Sequence, residues 1–452
     1  MPSKRLSRSI RIGLLVALVA LLAAACSNAK STTNAAPSGS TVASGGGSGS
    51  GSRAGVTATQ IRFSAIGTRT GNPLGTCVLD CYMQGVKAYF DYRNSQGGLY
   101  GRKLVVSKVL DDQLANNQAK ALEVVSANDT FANFNAAEIG SGWANLAKAG
   151  IPTYVWAINP AQMAGQEGIF GNREVTCINC LKRSDAYVAK VVGAKKVATL
   201  GYGVSDNSKE CAQAAAAAYT KYGNDVGGAK AVYTNDHLDF GLPNGIGPEV
   251  TAMKNAGVQL IIGCIDLNGM KTLAQELKRQ GMRDKVTLYH TNTYDQKFVG
   301  NAGGLFDGDI VSAEFRPFEA APIPSSAAYQ EWMAKNHSTP TEIAMVGWIN
   351  ADLAYQGIKA AGSNFTRQSV IDATNKLTSY TADGLVQPID WTRQHEPPTP
   401  TDPATHGPKY DCVPWVRVRN GKFVVEGDAA KPFTCWPGQT SAWSAPKAMS
   451  FQ

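Results

Sequence analysis

Histidine is scarce in this chain, with five in 452 residues. None of His237, His290, His337, His395 and His406 has a partner at a spacing that serves a metal or a nucleophile. Gly-x-Ser-x-Gly, His-Glu-x-x-His and phosphate-loop patterns are missing as well. Gly201-x-Gly203-x-x-Asp206 lacks the third glycine of a dinucleotide fingerprint. Catalysis is thus left without a sequence signature, and the expectation is a non-enzyme with no cofactor and no metal. Charged residues are only 17% of the chain, and no basic run stands out. The formal charge of +8 comes from 43 basic and 35 acidic residues. Four of the basic ones, Lys4, Arg5, Arg8 and Arg11, sit in the first eleven residues, so 39 against 35 remain beyond them. That balance is too mild to argue for nucleic acid as a partner. Beyond the first 26 residues no stretch has the length and purity of a membrane span, which takes about 20 apolar residues.

What is present begins at the N-terminus. The four basic residues precede an apolar run, Ile12 to Leu22, interrupted only by Gly13. Ala23-Ala24-Ala25 and Cys26 follow. A basic start, a short apolar run and small residues describe a secretory signal over residues 1–25. The small residues before Cys26 resemble the lipobox of bacterial lipoproteins, in which the cysteine carries lipid and becomes the mature N-terminus. The usual leucine three positions before the cysteine is one step early here, at Leu22. The alternative is an ordinary cleaved signal with an incidental cysteine. Ser27 to Ala54 contains no aromatic residue and no large aliphatic except Val42. Such a segment buries too little apolar surface to offset its ordering entropy, so 26–54 is expected to be a flexible tether. A lipid on Cys26 behind this tether would hold a folded body at the outer face of the cell membrane, with the lipid as the only membrane contact.

Nine cysteines are many for a reducing cytosol and fit an exported chain. With Cys26 set aside, eight remain, and eight allow 105 connectivities. The expected pairs are Cys77–Cys81, Cys177–Cys180, Cys211–Cys264 and Cys412–Cys435. The first two are sequence neighbours, and the other two each fall within one plausible lobe. Cys177-x-x-Cys180 also fits a thioredoxin-like redox pair or half of a zinc site. A four-cysteine zinc site needs a second pair of similar spacing, and Cys77-x3-Cys81 lies a hundred residues away with no histidine nearby.

From Thr57 onward strand-like and helix-like runs alternate. Ile61 to Ile66 alternates at period two. Met83, Val86 and Phe90 recur at helical spacing, and Gly97-Gly98 closes that helix. Strands are expected at Lys103 to Leu110, Phe131 to Ala136 and Ile151 to Trp156, with helices at Asn117 to Asn128 and Trp143 to Ala149. The pattern then restarts. Helices are expected over Arg183 to Val192, Ser208 to Tyr222, Gly247 to Ala256 and Leu267 to Gln280. Strands are expected over Val197 to Gly201, Ala229 to Tyr233, Val258 to Gly263, Val286 to Tyr289 and Ile310 to Phe315. Helices over Met345 to Ala361 and Arg367 to Leu377 follow. Alternation of this kind argues for parallel, doubly wound sheets, and two runs of it argue for two α/β lobes. The tail from Tyr380 is rich in Pro, Gly and Trp. Within it Val413 to Val418 and Lys422 to Val425 flank Asn420-Gly421 and read as a hairpin.

One block is family-specific. Gly67-Thr68-Arg69-Thr70-Gly71, the run Gly85 to Lys103 with its Asn94-x-x-Gly97-Gly98-x-x-Gly101-Arg102 core, and Asp111-Asp112-Gln113 resemble the opening of branched-chain amino-acid-type (leucine/isoleucine/valine-binding-like) substrate-binding proteins of ABC importers. Ala149-Gly150-Ile151-Pro152, the helix Val250 to Gly257 and Gln280-Gly281 extend the resemblance, which covers roughly Gly55 to Trp391. It implies the type I periplasmic binding fold: two doubly wound parallel-sheet lobes joined by three hinge crossings. The crossings fall near Cys177 to Arg183, Val311 to Pro317 and Leu385 to Trp391. Lobe 1 is then 55–180 with 316–385, and lobe 2 is 181–315 with 386–452. The cleft lies at the carboxyl ends of the strands, and a ligand that touches both lobes favours closure.

The resemblance also implies a ligand site. A serine near Ser141, in Gly140-Ser141-Gly142, and backbone after the next strand, at Trp156 and Ala157, would hold a ligand carboxylate. Backbone N–H groups at a helix start suit that role, and Ser141 could equally be a plain N-cap. Glu138 is the alternative pocket residue. On the second lobe Tyr202 matches a cleft-facing aromatic. Asn268 stands nearest to the family's carboxylate for a ligand ammonium, with Asp266 two residues earlier. Asp266 could equally be a helix N-cap. Arg69, at the cleft rim, would either favour an anion or be solvated. The function implied is capture of a small polar metabolite, an amino acid or related amide or carboxylate, and its delivery to ABC permease subunits. A sensory receptor on the same scaffold and an exported enzyme are the competing readings.

Overall fold

The computed structural model describes residues 51–156, 163–173, 181–396, 409–438 and 442–452. Five parallel strands make the first sheet. They are β1 (Gln60–Gly67), β2 (Lys103–Asp111), β3 (Ala132–Ala136), β4 (Thr153–Val155) and β5 (Ile169–Gly171), in the spatial order β2-β1-β3-β4-β5. The period-two pattern of β1 suggests one buried face, yet Phe63 to Gly67 are all buried. Helices cover both faces. Leu79–Ser95 and Glu342–Ala361 pack on one side, and Asn117–Ala127 with Trp143–Lys148 close the other over Ile66, Leu146 and Ile151.

Helices Leu79–Ser95 and Glu342–Ala361 meet through two glycines. A Cβ on Gly85 would lie 1.7 Å from the Ala344 carbonyl oxygen, and one on Gly347 would lie 2.1 Å from that of Tyr82. Only hydrogen fits between these backbones. The second of the two helices starts three residues before the apolar periodicity suggests. Thr341 is its N-cap, with Oγ1 accepting from the Ala344 N–H at 3.2 Å. That cap draws Glu342 into the first turn, which matters below.

The second sheet has nine strands among the described residues. β6 (Lys196–Tyr202), β7 (Lys230–Leu238), β8 (Leu260–Cys264), β9 (Thr287–His290) and β10 (Ile310–Ser312) are parallel. The tail, which the sequence suggests is mostly irregular, adds antiparallel strands to this sheet. β11 (Tyr410–Arg419) pairs with β10, with β12 (Lys422–Val425) and with β13 (Phe433–Pro437), and β14 (Lys447–Met449) closes the edge. Asn420 and Gly421 both have positive φ, +51° and +69°, as a two-residue hairpin turn requires. The sequence pattern also leaves out the helix Pro324–Lys335, which carries proline in its first turn.

Cys77–Cys81, Cys211–Cys264 and Cys412–Cys435 are bonded. Cys412 and Cys435 are direct partners in the β11–β13 ladder. Cys26, Cys177 and Cys180 lie outside the described residues, as does most of the first proposed crossing. Among the described residues no helix is long and apolar enough to cross a membrane.

Candidate functional site

Loops at the carboxyl ends of the two sheets touch. The loop after β1 runs from Thr68 to Val78. Its Asn72 accepts from the Leu74 N–H at 2.9 Å and donates to the Thr76 carbonyl at 3.1 Å, so one side chain folds the turn. Cys77–Cys81 ties the loop to the helix that follows. The turn reaches the start of helix Leu267–Arg279, which follows β8 in the other sheet. There the Asn268 side chain donates to the Pro73 carbonyl at 3.2 Å and its N–H to that of Leu74 at 3.4 Å. Gly75 has φ +77°, and a Cβ on it would sit 2.5 Å from the Asn268 side chain. Conformation favours glycine there, and a Cβ would displace the Asn268 side chain from this contact.

Asp266 caps that helix. Its Oδ1 accepts from the N–H groups of Asn268 at 2.8 Å and Gly269 at 3.1 Å. The N-cap reading of Asp266 is therefore correct, and its other oxygen accepts from the Tyr202 hydroxyl. Tyr202 is only 2% exposed and stacks edge-on with Phe240 at 5.3 Å. Burial drives the Asp266 carboxyl above its ordinary range, against the hydrogen bonds that hold it down.

Glu138 stands on the first-sheet side, after β3. Its N–H donates to Thr68 Oγ1 at 3.1 Å, and its carboxylate accepts from Asn72 at 3.2 Å. Burial pushes this carboxyl up to about 7. The Asn72 hydrogen bond opposes the shift, while the charges of Asp266 and Asp112 add to it. The two acids thus feel one another across the two sheets.

Of the two readings of Ser141, ligand contact or N-cap, the N-cap does not hold. The cap of helix Trp143–Lys148 is Gly142, without a side-chain hydrogen bond, and Ser141 is exposed. The reason is Asn117. Its Oδ1 accepts from both the Ser141 N–H at 3.2 Å and the Gly142 N–H at 3.0 Å. The amides that would hold a ligand carboxylate are already engaged. Asn117 is itself fixed by Asp112 at 3.0 Å and Asn135 at 3.2 Å. Trp156 is partly buried, with its N–H on the Asn135 carbonyl at 3.0 Å, and Ala157 lies outside the described residues. Arg69 is exposed, and its guanidinium is engaged by an acid. It pairs with Asp80, with Nε at 2.8 Å and a terminal nitrogen at 2.7 Å.

A second polar group was not found from sequence. After β5, Asn172 donates to Glu314 at 2.8 Å and Arg173 pairs with Glu314 at 3.1 Å. Glu314 follows β10, so the carboxyl edges of both sheets meet here as well. Glu342 enters from the first turn of its helix. Burial and then the Glu314 charge raise its carboxyl well above the ordinary value, and Asp295 adds to this, while the Tyr294 backbone and Arg173 oppose it. Nearby, the Tyr294 hydroxyl donates to Glu319 and accepts from the Phe318 N–H at 2.8 Å. The Thr341-Glu342 cap signature was the available clue, and the apolar periodicity that starts at Met345 masked it. Among the described residues no group of histidine, cysteine and acidic side chains could hold a metal.

The chain matches the family described as periplasmic binding protein over residues 60–404. No curated protein matched by sequence. Among solved structures it is similar to a fatty acid ABC transporter substrate-binding protein from Thermomonospora curvata, at 17% identity and a TM-score of 0.62, covering 86% of this chain and 97% of that one. It is similar to a branched chain amino acid ABC transporter protein from Thermus thermophilus with bound valine, at 16% identity and a TM-score of 0.61, covering 82% and 96%. A solute binding protein of an R. palustris ABC transporter in complex with benzoate gives 16% and 0.61, covering 86% and 99%. At these identities the likeness carries the fold and not the ligand.

Proposed function

Since this chain belongs to the periplasmic binding protein family, we propose that it is an extracytoplasmic receptor that captures a small polar metabolite between two lobes and passes it unchanged to an ABC importer. The observation that carries the reading is the contact between loops from the carboxyl ends of two separate parallel sheets, Asn72 to Cys77 on one and Asp266 to Gly269 on the other. Open α/β sheets place ligands at that edge, and a solute that touches both loops favours their approach. Lobe 1 would be 55–180 with 316–385, and lobe 2 would be 181–315 with 386–452. Packing of helix Glu342–Ala361 on Leu79–Ser95 supports the first assignment, and the addition of β11 to β14 to the second sheet supports the other.

Calorimetric melting of the purified chain with single solutes tests the reading. A cognate solute at a hundred times its Kd raises native stability by about 2.7 kcal/mol, visible as a shift of several degrees. Recovery of chemically converted solute would overturn it. Tethering is proposed through lipid on Cys26, as the small residues before it suggest. Cys26→Ser should move the protein from the detergent phase to the aqueous phase on partitioning. Unchanged partitioning would remove the anchor and leave the receptor.

A further inference from the structure

Two buried polar atoms, on Glu342 and Thr293, have no hydrogen-bond partner among the described residues. Glu342 is 8% exposed and its Oε1 accepts no hydrogen bond. Thr293 is 1% exposed and its Oγ1 is likewise unpartnered. Thr293 immediately precedes Tyr294, whose backbone N–H faces the Glu342 carboxyl, so both atoms belong to one spot. A buried polar atom left unpaired costs about 1–3 kcal/mol, and such groups in native proteins call for an explanation. The spot lies beyond the carboxyl ends of β9 and β10 in one sheet and of β5 in the other, the edge where this architecture takes ligands.

Its charges favour one class of occupant. Glu314 and Asp295 act on Glu342 with negative charge, and the opposing cation, Arg173, is paired with Glu314. On the remaining side the Tyr294 hydroxyl is bound by Glu319. At the other contact between the sheets the charge of Asp266 acts on Glu138, and Arg69 is paired with Asp80. The Ser141 and Gly142 amides that would suit a carboxylate are engaged by Asn117. Around Glu342 the acids Glu314, Asp295 and Glu319 outnumber the one cation, Arg173, and that field disfavours an anion. An ammonium carries three donors and can serve Glu342 Oε1 and Thr293 Oγ1 together.

Resting on the receptor reading above, we infer that the metabolite carries a cationic amine, and that Glu342 with Thr293 forms its ammonium subsite at the floor of the cleft. Burial, and then the Glu314 charge, favour the protonated form of Glu342 when no cation is present. Binding then exchanges that proton for the ammonium. The Glu342 O–H bond breaks, the proton leaves to solvent, and the carboxylate accepts N–H hydrogen bonds from the ligand.

Titration calorimetry of the purified chain, in phosphate and in Tris at one pH, tests this with n-butylamine and agmatine as cations, valine as a zwitterion, butyramide as a neutral amide and benzoate as an anion. The cations should bind, with a buffer-dependent heat equivalent to about one proton released. Glu342→Gln should weaken them about tenfold or more and abolish the proton release, since a hydrogen bond to a charged group contributes about 1.5–3 kcal/mol. Thr293→Val should weaken them about threefold, and it decides the matter should the glutamine variant not fold. Tight binding of benzoate or butyramide without the amines would overturn the subsite and leave the receptor standing, as would tight binding of valine that Glu342→Gln leaves unchanged. So would amine binding unaffected by both substitutions. Silence from all four solute classes would overturn the subsite and the receptor reading together.

Discussion

Glu138 has its chemistry set by place and not by type. In an exposed loop it would ionise near 4.5, but here burial lifts the carboxyl to about 7. The folded chain therefore holds a proton that the unfolded chain has already released between those values. Stability contributed by this group falls as pH rises from about 4.5 to about 7. Glu138→Gln should flatten that part of the urea-unfolding profile and make the chain about 1–2 kcal/mol more stable than the parent at pH 8, since one pKa unit corresponds to about 1.4 kcal/mol. A parallel profile for both proteins would refute the assignment. Asp266 is raised by burial in the same direction, but two backbone N–H groups and a tyrosine hydroxyl on its carboxylate oppose the shift. Sequence could name both acids as candidates. It could not say which was capped and which was merely buried, because that depends on partners 64 and 66 residues away, Tyr202 for Asp266 and Asn72 for Glu138.

At the scale of elements, helix packing and disulfides lead to separate expectations. Gly85 and Gly347 bring two helices to backbone contact. Gly347→Val should destabilise the chain by about 3 kcal/mol, because overpacked side chains push apart elements that cannot yield. An equilibrium unfolding midpoint unchanged by the substitution would show that the helices separate freely. The bond Cys211–Cys264 spans 53 residues and fastens a helix to the end of β8, while Cys77–Cys81 spans four. Loop entropy then ranks them, with about 4 kcal/mol lost when both cysteines of the longer bond become serine and about 2 kcal/mol for the shorter. Denaturant titration of the two double variants would reveal a reversed order. Most helices and parallel strands were legible from period and punctuation, within a few residues. The helix Pro324–Lys335 and the tail strands were not. Their stabilisation comes from partners distant in the chain, such as β10 for β11, and not from a local repeat.

For the whole molecule, the decisive feature is the meeting of two sheets through short loops. Asn268 is exposed, and its hydrogen bonds to Pro73 and Leu74 add little to the fold of either sheet. Asn268→Ala should leave the unfolding free energy of the free chain within about 0.5 kcal/mol, as surface changes usually do. It should nevertheless weaken solute binding severalfold, because the contact exists only when the loops approach. Equal losses in stability and affinity would place Asn268 in the core of the fold and not in its closure. By itself the sequence determined the alternation of strands and helices and the family scaffold through Asn94 to Arg102. Each is written in neighbouring residues, where backbone preference and hydrophobic period act directly. Only the tertiary structure decided that Asn117 occupies the Ser141 and Gly142 amides, that Arg69 is neutralised by Asp80, and that Glu342 is buried beside Glu314. Those outcomes depend on which groups the fold brings together across ten to thirty residues of chain. Once they meet, hydrogen bonding and desolvation outweigh any preference a residue carries alone.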